Sequence, residues 1–505
     1  MEAKITEPKE GAPPSGEARR RTEWRPRLSA DGPRYRALAD AIAEAIDAGE
    51  LCAGDRLPPV RDLAWTLKVT PGTIARAYQL AENRGLLEGR VGRGTFVKAS
   101  RAGASSPAAA SFLDAQAAPP GAAIAKEPSW PSGKLDLCTN RAIDVGQDSI
   151  ITARLQELIA ELGTLPLTPY HCYGEDEAER RSVARWLASG GLPERDEDTL
   201  ICSGAEHALL VALSATSGGG DAVALTEPLI YPGLKDCARA MGVRLEPVAT
   251  DPDLGVDPEA LEAAAARYRP SAIILNTNFQ NPTLVTLSLE RRKAVAEIAR
   301  RRRIPIIEDD VYGWTSPSRL PSFPNFAPEL CWYVTSFSKC VAAGLRAGFL
   351  LCPPGAGPVT ARLLRGHTQH VPWLTSALAT ALIDSGDAKN IAEAVRKKNA
   401  QRAEWLERSL GPALNNRGGR LRVSAENSMA WLELPDPWRA VDFEAAALEA
   451  GVLVTAAEQF AVGRTHAPHA VRIAHGACDQ KQLEEGVARI AELIASGPGP
   501  GALHS

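Results

Sequence analysis

The chain has 505 residues, 45% of them apolar and 23% charged, with a net charge of −4. That length is too great for one core and predicts two or more domains. The charge excludes a polycation, so any nucleic-acid surface has to be local. The nine cysteines are scattered without a C-x-x-C pair or a His cluster, which favours a reducing cytoplasmic setting over a disulfide framework, with no metal site. No apolar run approaches the ~18–20 residues of a membrane span.

Residues 1–31 are charged and contain Pro and Gly, with no apolar signal-peptide core; they read as a disordered tail. Residues 32–97 form the first domain. Tyr35, Leu38, Ile42, Ala45 and Ile46 recur at helical spacing. A second helix is predicted over Pro59–Leu67, with Val60, Leu63, Ala64 and Leu67 inward. Thr70 is an N-cap and Pro71 a first helical residue for a third helix, which turns Ile74, Ala77, Tyr78 and Ala81 inward and ends at Gly85. Leu86–Val97 then reads as a hairpin turning at Val91-Gly92-Arg93-Gly94, the wing of a winged helix-turn-helix. Lys68, Arg76, Arg84, Arg90 and Arg93 give this end a local basic face, the footprint of phosphate binding.

Arg56-Leu57-Pro58-Pro59-Val60-Arg61-Asp62-Leu63-Ala64, Thr73-Ile74-x-Arg76-Ala77-Tyr78 and the run from Gly85 to Val97 together resemble GntR-type winged helices. The resemblance implies that Arg61, Thr73, Arg76 and the wing at Arg93 and Gly94 contact double-stranded DNA. Pro71-Gly72 departs from the basic or polar pair that often opens the family's third helix.

Residues 98–133 shift to Ala, Pro, Ser and Gly and read as a flexible linker with an r.m.s. span of about 30–35 Å. From 134 to 496, apolar runs alternate with amphipathic helices such as Leu289–Arg302, as in an α/β domain with a largely parallel sheet. The strand candidates are Ala222–Leu225, Ala272–Leu275, Ile304–Glu308, Trp332–Thr335 and Gly348–Cys352.

The strongest motif is Ser336-Phe337-Ser338-Lys339-x-x-x-x-Gly344-Leu345-Arg346-x-Gly348. A lysine behind an apolar strand can lose its proton near neutral pH, as a Schiff-base lysine must, and Ser336, Ser338 and Arg346 have the chemistry to hold a phosphate dianion. Upstream, Asp309 and Asp310 end another apolar strand, where ligands bind in parallel sheets. A carboxylate there can pair with a protonated pyridine nitrogen. Asp309 is the choice, with Asp310 its competitor on the opposite side of the strand by alternation. Asn281 lies in a turn after a third strand, and Ser203-Gly204-Ala205-Glu206 opens a helix whose free N–H groups make an anion site. Tyr231 is either a ring-stacking or a core tyrosine. Arg472, inside an apolar strand, calls for a carboxylate from the protein or from a substrate.

In this order and spacing the segments resemble fold-type I aminotransferases, in particular the group with the kynurenine and aminoadipate enzymes. The resemblance implies pyridoxal 5′-phosphate on Lys339 as an internal aldimine. It also implies Asp309 at the pyridine nitrogen, Asn281 and Tyr312 at the phenolic oxygen and Tyr231 on the ring. The phosphate falls to the backbone of Ala205 and Glu206 with Ser336, Ser338 and Arg346, and the substrate α-carboxylate to Arg472. Tyr170 is expected to reach the phosphate of a partner subunit in a homodimer. Leu284 departs from the glycine that normally follows Asn-Pro-Thr. A GntR winged helix, a linker and a fold-type I domain in one chain resemble MocR-type regulators. That architecture implies a transcription factor sensing an amino acid or amine as an external aldimine. The alternative is a working aminotransferase with a DNA-binding head.

Overall fold

Helical periodicity at the N-terminal end is realised as three short helices closed by a hairpin. α1 is Arg34–Asp47, α2 Val60–Leu67 and α3 Pro71–Asn83. Leu38, Ile42, Leu63, Ile74, Ala77 and Ala81 meet in one core. Thr70 caps α3 by accepting the Thr73 N–H at 3.3 Å, which leaves Pro71 at the position where no N–H is needed. α2 begins one residue later than expected, because Pro59 keeps an extended ψ of 144°. The Tyr78 hydroxyl donates to the Pro58 carbonyl and ties α3 to the turn before α2. Strands β1 (Leu87–Arg90) and β2 (Gly94–Val97) pair antiparallel, Leu87 opposite Val97.

The computed structural model describes residues 24, 26, 34–47, 50–51, 55–83, 86–90, 94–97, 134–165, 177–218, 222–317 and 319–498. Most of the expected tail, the linker over 98–133, Gly85, Arg93 and Tyr170 fall outside the described residues. One part of the tail reading is corrected. Trp24 is buried in the winged-helix core, because an indole there covers apolar surface that the short helices leave open. The chain divides into two units, 1–123 and 124–505.

The second unit is built on a seven-stranded sheet: β3 (Thr199–Ser203), β4 (Val223–Thr226), β5 (Arg244–Pro247), β6 (Ala272–Asn276), β7 (Ile306–Asp309), β8 (Cys331–Ser336) and β9 (Ala347–Leu351). Their order is β3-β9-β8-β7-β6-β4-β5. The pairs among β8, β7, β6, β4 and β5 are parallel; β9 runs antiparallel to both of its neighbours. Successive residues face different cores: Ile273, Ile306 and Tyr333 one, Ile274, Ile307 and Val334 the other. A sheet covered on both faces explains why its strands read as unbroken apolar runs. β7 starts two residues later than expected. The Ile304 N–H still closes the preceding helix on Ala299, and Pro305 has no N–H to offer. Helix α4 (Ala205–Ser217) follows β3, and α5 (Leu289–Arg302) has the predicted bounds.

A smaller antiparallel sheet, in the order β10-β11-β13-β12, comprises β10 (Arg420–Val423), β11 (Met429–Glu433), β12 (Thr455–Ala456) and β13 (Ala470–Ala474). It packs on α6 (Gln480–Ser496), whose N-terminus is a capping box of Asp479 and Gln482. No described helix is long and apolar enough to cross a membrane.

Candidate functional site

The carboxyl ends of β3, β4, β6, β7 and β8 converge on one crevice, the place where open α/β sheets bind ligands. β8 delivers Lys339 through a single 3-10 turn, Phe337–Lys339. Its Nζ donates to the Asn140 carbonyl. Burial, with the Arg472 guanidinium adding to it, lowers the ammonium to about 8.

β7 ends on Asp309, which is 7% exposed and whose Oδ1 has no hydrogen-bond partner. Burial, reinforced by the neighbouring Asp310 charge, raises its carboxyl from 3.8 to about 7. Asp310 points to the other face and is fully engaged. It accepts from Asn278 Nδ2 at 2.7 Å, from the Gly313 N–H at 3.0 Å, and from Arg319 and the Tyr333 hydroxyl at 2.7 Å each. Only Asp309 keeps an acceptor free on the Lys339 side.

The turn after β6 holds Asn281, 5% exposed, between two left-handed non-glycine residues, Phe279 at φ 49° and Leu284 at φ 61°. A side chain in that conformation costs roughly 1–2 kcal/mol, which explains why glycine suits position 284. Leu284 occupies it with its side chain buried beside Tyr312, Met429 and Phe460. Asn276 fixes the turn. Its Oδ1 accepts the Asn281 N–H at 2.9 Å and its Nδ2 donates to the Asp309 carbonyl at 2.6 Å.

β13 carries Arg472, 7% exposed. Its Nη1 donates to Asn281 Oδ1 at 3.1 Å, and its Nη2 to the Cys138 carbonyl at 2.6 Å and to the Thr455 hydroxyl at 3.4 Å. Its Nε has no partner, and among the described residues no carboxylate forms an ion pair with it. A buried cation held by neutral acceptors leaves room for an anion. The Tyr312 hydroxyl, its ionisation pushed up by burial, accepts from Asn140 Nδ2 at 2.9 Å.

At the other end of the crevice α4 begins with Gly204, φ 85°, and no side chain caps it. A Cβ there would lie 2.8 Å from the Arg346 guanidinium, which folds over it. A Cβ on Gly348 would lie 2.3 Å from the Gly204 carbonyl carbon, so the backbone of Gly204 can pass this close only because position 348 is glycine. The antiparallel run of β9 brings its first residues, and Arg346 just before them, to this same end. Ser336 accepts the Ser338 N–H and both serines are buried. Tyr231 donates its hydroxyl to Glu206 Oε1 at 2.6 Å, and Glu206 Oε2 lies 3.2 Å from Arg346 Nη2.

In the winged helix, Arg61 and Arg76 are exposed, and the Arg76 guanidinium lies 5.0 Å from the centre of the Tyr35 ring. Thr73 is half-buried with its hydroxyl 2.9 Å from that of Thr70. Gly94 opens β2, on the described edge of the wing.

The structure therefore joins Lys339 to Tyr312 through Asn140, and Arg472 to Asn281 and, through Asn276, to the Asp309 backbone, and places Ala205, Glu206, Tyr231 and Arg346 around the start of α4, with Ser336 and Ser338 in the adjoining turn after β8. The sequence did not point to Asn140, Asn276 or the Cys138 carbonyl. The first two carry no motif, and a backbone acceptor has no residue signature. Among the described residues no His, Cys, Asp and Glu cluster could hold a metal ion.

A winged helix and a fold-type I aminotransferase fold thus share one chain. Residues 132–490 match the model of aminotransferase class I and II, and residues 34–97 that of the bacterial regulatory proteins of the gntR family. The chain belongs to the aminotransferase class I and II family, in the form fused to a GntR helix-turn-helix domain that MocR-type proteins share. It is 28% identical over 464 residues to the uncharacterized HTH-type transcriptional regulator YdeF of Bacillus subtilis, covering 92% of this chain and 94% of that protein. It is 28% identical over 470 residues to the vitamin B6 salvage pathway transcriptional repressor PtsJ of Salmonella typhimurium, covering 92% and 99%. The alpha-aminoadipate aminotransferase LysN of Thermus thermophilus superposes with a TM-score of 0.62 at 25% identity, over 72% of this chain and 93% of that one.

Proposed function

We propose that the protein is a pyridoxal 5′-phosphate-dependent transcriptional regulator that binds DNA through residues 32–97 and detects an amino acid or amine at the Lys339 site. The observation that carries this reading is the buried carboxylate of Asp309, whose Oδ1 has no partner, on the same side as Lys339. Such a pair fits the cofactor. A pyridinium N–H would complete Asp309, and an amine near 8 can react as a base at neutral pH. The glycine-lined cradle under Arg346 fits a phosphate. When bound, the cofactor supplies an aldehyde for primary amines and an electron-withdrawing ring.

The chain's own residues then divide the work. Lys339 holds the cofactor and moves the proton. Asp309 keeps the ring nitrogen protonated, Asn281 and Tyr312 bind the phenolic oxygen, and Tyr231 covers the ring. Ala205 and Glu206 offer backbone N–H groups to the phosphate, with Ser336, Ser338 and Arg346. Arg472 takes the α-carboxylate of an amino acid effector, answering its lack of a protein carboxylate. Tyr170 of a second copy completes the phosphate site in a homodimer, and residues 98–133 tether the DNA heads. Arg61, Thr73, Arg76, Arg93 and Gly94 meet the duplex. A reducing cytoplasmic setting suits this role; every described cysteine is a free thiol.

The rival, a working aminotransferase, draws on one observation: Lys339 at about 8 is also suited to proton transfer in turnover. Gel-shift titrations on the protein's own upstream DNA, with a panel of amino acids, separate the two. Regulation requires an amino-acid-dependent shift that Lys339→Ala abolishes, together with the borohydride-fixed cofactor. Turnover with a keto acid and DNA binding indifferent to every amino acid would support the rival. Arg76→Ala is expected to weaken DNA binding by about 1–3 kcal/mol and reduce the salt slope by about one. Unchanged affinity across a salt series would remove α3 as the reader.

A further inference from the structure

The side chain of Glu206 has no part in that scheme, yet it stands inside the phosphate cradle. The phosphate would use its backbone N–H; its carboxylate is spread over two groups of the same site. Oε1 receives the Tyr231 hydroxyl and Oε2 faces Arg346. Of the residues assigned to the phosphate, Ala205, Ser336 and Ser338 are neutral and Arg346 is the cation. The start of α4 adds roughly half a positive charge. A phosphate monoester brings about −1.5 to −2. A carboxylate on the same guanidinium therefore removes most of the positive charge that would hold the anion.

The geometry makes the two anions rivals. Arg346 lies over Gly204 at the opening of α4 and pairs with Glu206 at 3.2 Å. To turn its donors to a phosphate it has to give up or share that carboxylate. Glu206 keeps its hold on Tyr231 whichever partner Arg346 takes, because a different oxygen makes that bond. The Arg346 and Glu206 side chains are 52% and 43% exposed, so water screens the competition and the effect is moderate.

We propose that Glu206 acts as a built-in competitor for Arg346 that weakens cofactor retention, so that occupancy of the site follows the concentration of free pyridoxal 5′-phosphate. The inference rests on the reading that Lys339 takes this cofactor. It adds a second input to the regulator: the supply of the cofactor itself, beside the amino compound.

The test uses the full-length protein and its Glu206→Gln variant, in which the amide oxygen still accepts the Tyr231 hydroxyl. Each is stripped of cofactor and titrated with pyridoxal 5′-phosphate and, separately, with pyridoxal, which lacks the phosphate. Binding is read from the absorbance of the bound aldehyde and from its borohydride-fixed adduct. The variant is expected to bind pyridoxal 5′-phosphate about tenfold more tightly, as one screened charge pair predicts, and pyridoxal with unchanged affinity. Equal or weaker binding of pyridoxal 5′-phosphate by the variant overturns the inference and leaves the cofactor reading standing. Equal tightening of both aldehydes also overturns it, since the effect would then not act on the phosphate. Absence of a signal with either aldehyde in either protein overturns the cofactor reading, and this inference with it.

Discussion

Residues 308–310 put carboxylates on both faces of β7, and the two faces are completed in different ways. On one, Glu308 accepts from the Thr277 hydroxyl and the Phe323 N–H, with Arg292 3.8 Å away, while Asp310 holds Asn278, Gly313, Arg319 and Tyr333. Arg292 is wholly buried and spends its donors on Leu287, Thr277, Asn278 and Pro321. On the other face Asp309 leaves an oxygen unpartnered, and Arg472 across the crevice leaves a nitrogen so. On the first face both carboxylates are satisfied, although Arg319 leaves Nε and Nη1 unpartnered, and a network so anchored fixes structure. An open one of complementary charge is what a ligand completes.

The sharpest way to break this comparison is to remove one carboxylate from each face. Asp310→Ala strands Arg319 in the interior and is expected to cost about 3–5 kcal/mol, read as a lower denaturation midpoint. A midpoint equal to that of the parent protein would show that the Asp310 network carries no structural role. Asp309→Asn removes a buried charge and keeps an amide oxygen that can still accept the Val311 N–H. The cofactor-free protein is expected to be no less stable at neutral pH, since Asn removes the cost of ionising a buried acid, while the bound-cofactor signal disappears.

The last expected effect is one of pH. The folded-state carboxyl of Asp309 is raised from 3.8 to about 7, so between those values the folded chain keeps a proton that the unfolded chain has released. Its contribution is fully present below the lower value and is lost as pH rises through the upper one. The cofactor-free protein therefore loses stability between about pH 4 and pH 7, and Asp309→Asn flattens that slope. The slope is not abolished, because burial also raises Glu308 to about 7. An identical slope in parent and variant would mean that Asp309 is not buried as a lone acid.

Much of this was legible in the sequence, and for identifiable reasons. Strand alternation separates Asp309 from Asp310 without coordinates. Thr70-Pro71 marks the start of α3, and the apolar repeat bounds α5 to the residue. β5, Arg-Leu-Glu-Pro, has no apolar run and was invisible; it lies at the sheet edge and none of its residues is fully buried. Asn140 and Asn276 escaped for another reason. They act by bridging segments far apart in the chain, 172 residues for the Asn140–Tyr312 bond, and a bridge of that span leaves no local pattern. The Glu206 side chain was hidden behind its own backbone, the part that the resemblance had already put to use.

Residues 138–140 give the carbonyl that holds Arg472, the carbonyl that holds Lys339 and the amide that holds Tyr312. They also stand a few residues after the Ala- and Pro-rich stretch that joins the second unit to the winged helix. The wall of the crevice and the root of the tether are thus one continuous piece of backbone. On the proposed function, a compound that drew Lys339 or Arg472 to itself would act on the backbone of residues 138–140 directly.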